Sequence, residues 1–525
     1  MTGRIRRRYG CRSCPESGQM QIPDVKADMK SMSATDRSAA FRVVLAIEIW
    51  ERFGFYGMQA ILLLYMVQKL GMHDTQANML WGSFAAITYA APVMGGWLGD
   101  RVLGSRRTML VGAMVLATGY LLLGVMSGDA HSLFLGMATI SVGNGLFKPN
   151  SCNTVNIIYR DEPQKLDVAF TIYYMSVNIG STFSLFLTPW IQQAYGWGTA
   201  FISCGLGLLL GIGGYFLRQK RLSSIGTAPD FQPVPMRRTA MISVTMLLAV
   251  AVIAHIFESS SIQGLLVIAS GLLIIAGWIV LYFRVAPHER PGLKIIYLLI
   301  FEVALYFVFY QQMVTSLTLF TLRNVGKDFT LFGLNLFSLS AGQFQGFNPL
   351  WIMLGTPLVI GTYNWLRRRD ADLSIAGKFV VGFACVTLSF VIWWLSARMS
   401  STPYVSPWWM LIGYGPLSIG ELMLNSLGLA AIARYVPARI SALMAGCFYV
   451  MIGFAMYVGS MVANMAAIDN AGGKEADPAQ TLVIYGSLFR DLAYVAGGAT
   501  LIFALLLPLV RKWESAHARQ VTEQG

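Results

Sequence analysis

Residues 262–283 read IQGLLVIASGLLIIAGWIVLYF and contain no charged side chain. The hydrocarbon core of a bilayer is about 30 Å thick, and about 20 helical residues cross it. Because lipid offers no hydrogen-bond partners to open backbone groups, an apolar stretch of this length must cross as a helix. The stretch therefore predicts a membrane-spanning helix, and the fold depends on how often the same pattern recurs.

Comparable apolar runs recur along the whole chain of 525 residues, of which 55% are hydrophobic and 12% charged. Soluble domains carry roughly 25% charged residues, so the composition argues against a soluble protein. The predicted spans are 43–68, 78–99, 108–127, 132–156, 168–192, 197–217, 239–257, 262–283, 295–322, 344–366, 379–397, 406–433, 440–468 and 492–510. Long unbroken runs also argue against a β-barrel, whose strands alternate over about ten residues. The pattern predicts an all-α integral membrane protein with fourteen transmembrane helices.

The 39 Lys and Arg residues, which give a formal net charge of +13, are distributed unevenly. When the loops are assigned alternately to the two sides, most of these residues fall on the side that carries both termini. Because loops rich in Lys and Arg remain in the cytoplasm, we expect a multi-pass protein with both termini cytoplasmic. The basic clusters at 4–8 and 367–369 are interpreted as topology signals, with lipid headgroup binding as the lesser alternative and no nucleic-acid partner.

The spans fall into groups of six, two and six. Residues 218–238 are basic and rich in proline, which predicts a linker, and the two helices that follow are almost uncharged, which favours a lipid-facing insertion. Two six-helix halves around a central site are the architecture of the major facilitator superfamily. The predicted divisions are a cytoplasmic tail (1–40), an N-terminal six-helix bundle (41–217), a cytoplasmic linker with the two-helix insertion (218–292), a C-terminal six-helix bundle (293–511) and a cytoplasmic tail (512–525).

Ionisable side chains inside membrane spans are costly and therefore mark functional candidates. With the twelve core spans numbered without the inserted pair, they are Glu48, Glu51 and Arg52 in the first span, Lys148 in the fourth, Glu302 in the seventh and Glu421 in the tenth. Four acids against two bases leave an excess of carboxylates, which in a low-dielectric interior favours proton uptake. The three charged residues of the first span share one helix face, which favours a functional role for them. The alternative interpretation is a static ion network that only stabilises the structure. All five histidines lie in loops, tails or span ends, so carboxylates are predicted to carry the protons.

Residues 48–57 read EIWERFGFYG, which resembles the ExxERFxYYG signature of the proton-dependent oligopeptide transporter family. Further short motifs of this family have counterparts in the same order: GGWLGD at 95–100 with Gly104, GLFKPN at 145–150, the stretch 170–181 with Tyr173, Tyr174, Asn178 and Gly180, FQGFNP at 344–349, and GEL at 420–422. Each motif is weak alone, but their order over residues 41–510 is similar to that of bacterial members. The resemblance implies a major facilitator fold with two extra helices, in the cell inner membrane.

The resemblance also implies a proton-coupled symporter that imports di- and tripeptides by alternating access. The proton-coupling residues would be Glu48, Glu51 and Arg52. In their deprotonated form the two acids would hold Arg52 and Lys148, and protonation would free a cation for the carboxylate of the peptide. Glu421 would hold the peptide's ammonium group. The substrate-binding residues would be Arg52, Tyr56, Tyr89, Lys148, Tyr174, Asn178, Gln311, Asn348, Glu421 and Asn425.

The expected partners are short peptides, protons and the lipid bilayer, and the protein is expected to be monomeric. Cys11 and Cys14 form a single CxxC, whereas zinc normally needs four ligands, so neither a metal nor a cofactor is predicted. No span pairs a nucleophile with a base, which argues against an enzyme and leaves no catalytic residue to name.

Four positions depart from the family pattern: Phe55 stands for a tyrosine, Gln59 for an arginine, Gln311 for an acid and Phe448 for a tryptophan. The loss of an arginine and an acid together puts a salt-bridge gate between the bundles in question. Glu302 lies two and a half turns from Gln311 and faces the opposite way, so we expect it at a contact between helices.

Two other functions stay open at this level. The same scaffold could carry nitrate, another small anion or an amino-acid derivative, or it could act as a transporter-like sensor. Glu421 separates the first of these from a peptide carrier, because a simple anion gives that carboxylate no partner, whereas the ammonium group of a peptide does.

Overall fold

The computed structural model describes residues 33–371, 373–468 and 476–524, and these ranges are almost entirely helical. The helices are α1 (Ala34–Leu64), α2 (Asp74–Leu98), α3 (Ser105–Val125), α4 (Ala130–Tyr159), α5 (Pro163–Tyr195), α6 (Trp197–Arg218), α7 (Met236–Glu258), α8 (Ser260–Arg284), α9 (Arg290–Tyr310), α10 (Ser316–Asn324), α11 (Phe347–Arg368), α12 (Ile375–Met399), α13 (Pro407–Tyr435), α14 (Ala438–Ala463) and α15 (Pro478–Gln524). Because α9 and α10 are halves of one interrupted span, the described ranges contain fourteen long helical segments, in agreement with the predicted fold.

Eight helical segments of the described chain are long and apolar enough to cross a membrane by length and composition alone. The six long helices outside this group are α1, α2, α4, α5, α11 and α13. All six contribute side chains to the central cavity between the bundles. Their polar cavity-facing residues therefore account for their lower hydropathy.

The outer ends of the first and last helices extend beyond the predicted spans. Helix α1 begins at Ala34, within the predicted tail, because the Ser33 side chain accepts a hydrogen bond from the backbone N–H of Asp36 at 3.1 Å. A serine in this position satisfies an end group of the helix. Helix α15 likewise continues to Gln524. The CxxC of Cys11 and Cys14 lies outside the described residues.

The predicted linker is fastened to the first bundle. The Asp230 carboxylate accepts hydrogen bonds from the backbone N–H groups of Arg106 at 3.3 Å and Arg107 at 3.1 Å, in the first turn of α3. A carboxylate is favoured there by the positive end of the helix dipole. Gly104, with a φ of +95°, leaves room for this contact, since a Cβ atom at that position would overlap Asp230.

The inserted helices α7 and α8 expose most of their apolar surface, as expected for a lipid-facing insertion, but α8 also lies across the line between the bundles. It packs on α2 of the first bundle and on α14 of the second. Ser83 donates a hydrogen bond to the buried Gln263 side chain at 2.8 Å, and Gly271 lies against the ring of Phe454. The insertion therefore touches both halves of the molecule.

Two short antiparallel strands, β1 (Asp328–Leu331) and β2 (Leu334–Ser338), form a hairpin between α10 and α11. Phe332 and Gly333 turn the chain with φ values of +50° and +84°. This hairpin lies at the end of the bundle opposite the chain termini. The two ends are called the hairpin side and the termini side.

Candidate functional site

The predicted site residues of both bundles meet in one cavity of about 220 Å³. Those that line it are Glu48, Arg52, Tyr56, Tyr89, Lys148, Tyr174, Asn178, Asn348, Glu421 and Asn425. Glu51 is buried behind this wall, and Gln311 lies elsewhere. The cavity also includes residues that the sequence reasoning did not assign to the site, among them Cys152 and Tyr310.

The charges of the first bundle form a buried cluster on α1. Arg52 makes ion pairs with Glu51 and with Glu48, whose Oε1 lies 3.3 Å from the Arg52 Nε atom. The other Glu48 oxygen accepts a hydrogen bond from Ser151 at 2.7 Å, and Tyr173 donates to Ser151 at 3.1 Å. This chain of contacts joins α1, α4 and α5, which the sequence motifs named without connecting.

Two atoms of the same cluster have unused hydrogen-bonding capacity. Glu51 Oε1 and Arg52 Nη2 are buried and have no hydrogen-bond partner in the described part of the chain. Buried polar atoms normally have partners, so an unpartnered guanidinium nitrogen in a residue that lines a cavity indicates a place for an anionic ligand or for water. The carboxylate oxygen is a candidate position for a proton.

Lys148 stands apart from this cluster, contrary to the expectation that the two acids hold it. Its Nζ atom lies 5.1 Å from the centre of the Tyr89 ring, in a cation–π contact. Within the described ranges no carboxylate lies within ion-pair distance of this lysine, because Arg52 occupies Glu48 and Glu51. The cavity therefore contains one paired and one unpaired cation.

The second bundle contributes the opposite charge. Glu421 accepts a hydrogen bond from Asn348 at 2.9 Å, and Asn348 also donates to Ser418 at 3.1 Å. Among the described residues Glu421 has no ion-pair partner. Asn348 thus holds a carboxylate in the cavity wall that no Lys or Arg of the described ranges pairs with.

The interruption between α9 and α10 contains the two consecutive glutamines. Gln311 donates to Ser460 at 2.9 Å and does not line the cavity, contrary to its predicted place in the substrate site. Gln312 donates to the carbonyl oxygens of Val308 at 3.0 Å and Gly459 at 2.9 Å. Both side chains therefore anchor the broken helix to α14.

Two further residues singled out by the sequence, Glu302 and the departure Phe448, also lie off the cavity wall. Glu302 is buried, and its Oε2 atom has no partner among the described residues. Phe448 is buried on α14, where its ring fills the space above Gly428.

Gln59 connects the bundles by a neutral contact where the family pattern has an arginine. Its amide nitrogen lies 3.3 Å from Gln345 Oε1, and Gln345 in turn donates to Thr318 at 3.0 Å. These three side chains link α1 to α10. The bundles are therefore joined at this point by uncharged side chains.

A charged contact between the bundles, which the sequence reasoning missed, lies on the hairpin side. Arg323 on α10 donates two hydrogen bonds, at 2.6 and 2.8 Å, to the buried carboxylate of Asp74 on α2. Arg323 also donates to Tyr485 at 2.9 Å, and the Ile468 backbone N–H lies 3.1 Å from Asp74. Opposite charges at the same ends of the second and seventh spans were the only signal of this pair in the sequence.

The contact between α2 and α14 shows which end of the cavity is closed. At the hairpin side Asn78 donates to Asn464 at 3.0 Å, and at the middle of both helices a Cβ atom at Gly453 would lie 2.7 Å from the Ala86 carbonyl oxygen. Toward the termini side the packing is looser, since a Cβ atom at Gly446 would lie 3.8 Å from the nearest Val93 atom. These contacts, together with the Asp74–Arg323 pair, close the cavity on the hairpin side, and the packing of α2 on α14 is looser toward the termini.

Comparison with known proteins gives a consistent set of relatives. A family model described as the POT family matches residues 106–476. Dipeptide and tripeptide permease A of Salmonella typhimurium is 36% identical over 482 residues, covering 91% of this chain and 93% of the relative. The permease of the same name from Escherichia coli is 37% identical over 483 residues, with the same coverage of both chains.

Solved structures agree with these sequence relatives. A crystal structure of tetrameric PepTSo2 superposes with a TM-score of 0.83 at 39% identity, covering 91% of this chain and 99% of the other. A bacterial homologue of the human drug peptide transporters PepT1 and PepT2 gives a TM-score of 0.82 at 41% identity, with the same coverage.

Proposed function

The chain belongs to the POT family, and from this premise we propose that it imports di- and tripeptides together with protons by alternating access. The observation that carries the proposal is the charge layout of the cavity. Arg52 and Lys148 lie on the first bundle and Glu421 on the second. A zwitterionic peptide has one charge for each side, whereas a simple anion leaves Glu421 without a partner.

A peptide held at both ends would draw the bundles together. Its carboxylate would bind Lys148 and the free nitrogen of Arg52, and its ammonium group would bind Glu421. Bridging across two rigid bodies favours closure, since the ligand then binds the closed state more tightly than the open one. In this arrangement the protein recognises the charged ends of the peptide backbone, so peptides with many different side chains should be accepted.

The size of the cavity supports a small cargo. Its volume of about 220 Å³ lies somewhat below the roughly 300–1,000 Å³ of common small-molecule pockets. A short peptide is therefore the largest ligand that a cavity of this size favours. Tyr56, Tyr89 and Tyr174 would surround its side chains.

The proton is proposed to act through the cluster on α1. When Glu48 and Glu51 are both ionised, they hold Arg52. A proton on either acid weakens that ion pair and frees the guanidinium group for the peptide carboxylate. The second cation, Lys148, is unpaired whether or not the acids carry a proton, so the cavity can attract a peptide carboxylate in both states. The proton adds Arg52 as a second partner and so strengthens the binding of the peptide.

The basic test is uptake of labelled dialanine by liposomes that contain the purified protein, with and without an inward proton gradient. Accumulation that depends on the gradient and collapses with a protonophore is the expected result. Failure of folded protein to take up the dipeptide would contradict the proposed function, and transport of nitrate in its place would support the anion-carrier alternative.

Glu51→Gln is expected to separate exchange from accumulation. The substitution keeps the size of the side chain and removes its ability to ionise. Uphill, gradient-driven uptake should fall at least tenfold, which corresponds to about 1.4 kcal/mol, while counterflow exchange of peptide across the membrane should remain within about twofold.

Glu302→Gln is the matched control, since it neutralises a buried carboxylate that does not line the cavity. It should retain gradient-driven uptake. An equal loss of exchange and accumulation in Glu51→Gln would contradict a role for Glu51 in proton coupling.

Asp74→Asn is expected to open the hairpin side. The change leaves Arg323 buried without its charge partner, which costs about 3–5 kcal/mol in closed states. The native cavity thiol of Cys152 reports the change, once the other cysteines are replaced by serine. A membrane-impermeant thiol reagent added from the hairpin side should label Cys152 at least about tenfold faster in the variant.

The matched control is Asp491→Asn, which breaks an ion pair with Arg490 in which both side chains are exposed. Exposed pairs contribute about 0–1 kcal/mol, so its labelling rate should equal that of the parent protein. Equal labelling of the parent and Asp74→Asn proteins would show that this pair does not hold the hairpin side closed.

The protein is a multi-pass membrane protein, and we propose the bacterial inner membrane as its location, with the termini side in the cytoplasm. The excess of Lys and Arg in the loops on that side supports this orientation. The more loosely packed end of the cavity would then face the cytoplasm.

We further propose that a single chain is the transport unit and that it acts as a transporter rather than an enzyme. One chain supplies both sets of charges in the cavity. The monomeric state is supported only by this completeness, since the relative PepTSo2 is described as tetrameric. The mass of the detergent-solubilised protein, measured by light scattering, tests the monomer.

A further inference from the structure

An apolar groove of about 480 Å³ runs between α8 and α9 on the outer surface of the bundle. Ile275, Ile279 and Phe283 of α8 form one wall, and Tyr297 of α9 forms the other. Phe283 is 70% exposed, so this wall faces the surroundings of the helices rather than a protein neighbour. In a membrane protein, those surroundings are the acyl chains of the bilayer.

The groove has a fixed inner surface. The rings of Trp278 and Tyr297 stack with centroids 4.9 Å apart and an interplanar angle of 11°. The Tyr297 hydroxyl donates to the Trp278 carbonyl oxygen at 2.9 Å, which ties α9 to α8. The space is therefore formed before any ligand arrives, and binding costs little ordering of the protein.

Two cations stand at the termini-side end of the groove. Lys294 Nζ lies 5.8 Å from the centre of the Tyr282 ring, and Arg290 Cζ lies 5.4 Å from the same centre. Lys294 Nζ is also 5.8 Å from the Trp513 ring of α15. Like charges four residues apart on a helix repel each other, so this arrangement is unfavourable unless an anion lies between them.

The protein itself supplies no such anion in the described ranges. Neither Arg290 nor Lys294 has a carboxylate within ion-pair distance there, and Arg290 Nε is buried without a hydrogen-bond partner. Glu289, the adjacent acid, is paired with Arg439. Unpaired cations beside aromatic rings, at the end of an apolar groove, indicate a ligand with a charged head and an apolar tail.

We propose that this groove binds one anionic phospholipid, with its phosphate between Arg290 and Lys294 and an acyl chain along α8. The inner leaflet of a bacterial membrane offers such lipids, and the proposed orientation places the two cations at its surface. A soluble phosphate would use the cations and gain nothing from the apolar wall. The proposal requires membrane insertion but does not depend on peptide transport.

The test compares the binding of phosphatidylglycerol and phosphatidylcholine to the intact protein in neutral detergent, measured by native mass spectrometry. Phosphatidylglycerol should bind preferentially. A Lys or Arg near a membrane surface contributes about 1 kcal/mol, or roughly fivefold. The double variant Arg290→Gln, Lys294→Gln should therefore weaken phosphatidylglycerol binding on the order of 20-fold and leave phosphatidylcholine unchanged.

The matched control removes the same charge outside the groove, with Lys220→Gln and Arg221→Gln, both exposed on the termini side. It should bind phosphatidylglycerol like the parent protein. Equal weakening in the control would reduce the effect to net charge and overturn the proposal, as would equal binding of the two lipids by the parent protein.

A second variant tests the apolar wall and covers the case in which the double variant does not fold. Ile279→Trp fills the groove and keeps both cations, so it should lower phosphatidylglycerol binding while its thermal unfolding temperature stays near that of the parent. Unchanged binding in this variant, or displacement of the lipid by millimolar inorganic phosphate, would show an ion site without an acyl-chain groove and overturn the lipid assignment.

Discussion

Replacement of Lys148 by alanine is expected to lower peptide uptake about 10- to 150-fold, the equivalent of the roughly 1.5–3 kcal/mol contributed by a hydrogen bond to a charged group. Lys148 lines the cavity and has no carboxylate partner in the described ranges, so its charge is available to the ligand. Its loss leaves Arg52 as the remaining cation, and Arg52 is held by Glu48 and Glu51.

Two controls distinguish the loss of carboxylate recognition in Lys148→Ala from misfolding of the variant. A dipeptide amide, which lacks the carboxylate, should compete poorly against dialanine in the parent protein, and Lys148→Ala should lose most of this preference for the free carboxylate. Lys220→Ala, which removes an exposed lysine outside the cavity, should leave uptake unchanged. Normal uptake by folded Lys148→Ala protein would overturn the assignment of this lysine to the substrate site.

Replacement of Glu421 by glutamine is expected to reduce uptake by a comparable factor, because the peptide ammonium loses its charged partner. The amide can still hydrogen-bond to Asn348, so the local geometry at Glu421 should persist. Competition between dialanine and its N-acetylated form measures the effect. The parent protein should prefer the free ammonium group strongly, and the variant should lose most of this preference.

Glu302→Gln serves again as the control, because it neutralises a buried acid of the same bundle away from the cavity. It should retain the preference for the free ammonium group. A full preference in Glu421→Gln would remove Glu421 from the recognition of the ammonium group.

The membrane fold could be predicted because its cause is local. A bilayer requires about 20 apolar helical residues for each crossing, and this requirement acts on every span separately. Even the least apolar helices were found, because short runs such as GLFKPN lie within long apolar segments. The hairpin of β1 and β2 was missed because its residues form a short loop between spans and bear no membrane signal.

The candidate site was predictable in part, for a related reason. A charge in a span is costly, so Glu48, Arg52, Lys148 and Glu421 stood out one by one, and the structure brings them to one cavity. The prediction placed Gln311 in the substrate site because members of the family have an acid at this position of the seventh span. A sequence position identifies the helix, but it does not show which way the side chain points when the helix is interrupted. The interruption turns its side chain toward α14.

The sequence by itself determined the helices and their grouping. It also identified the charged residues inside the spans, which are costly in a membrane and therefore indicate a function. The tertiary structure alone decided which charged residues form ion pairs. Arg52, and not Lys148, pairs with the acids of α1, and Asp74 pairs with Arg323 across the bundles. The physical reason is the distance along the chain over which each interaction acts. Hydropathy and helix periodicity act over a few turns, whereas an ion pair between residues 249 positions apart depends on how whole helices pack.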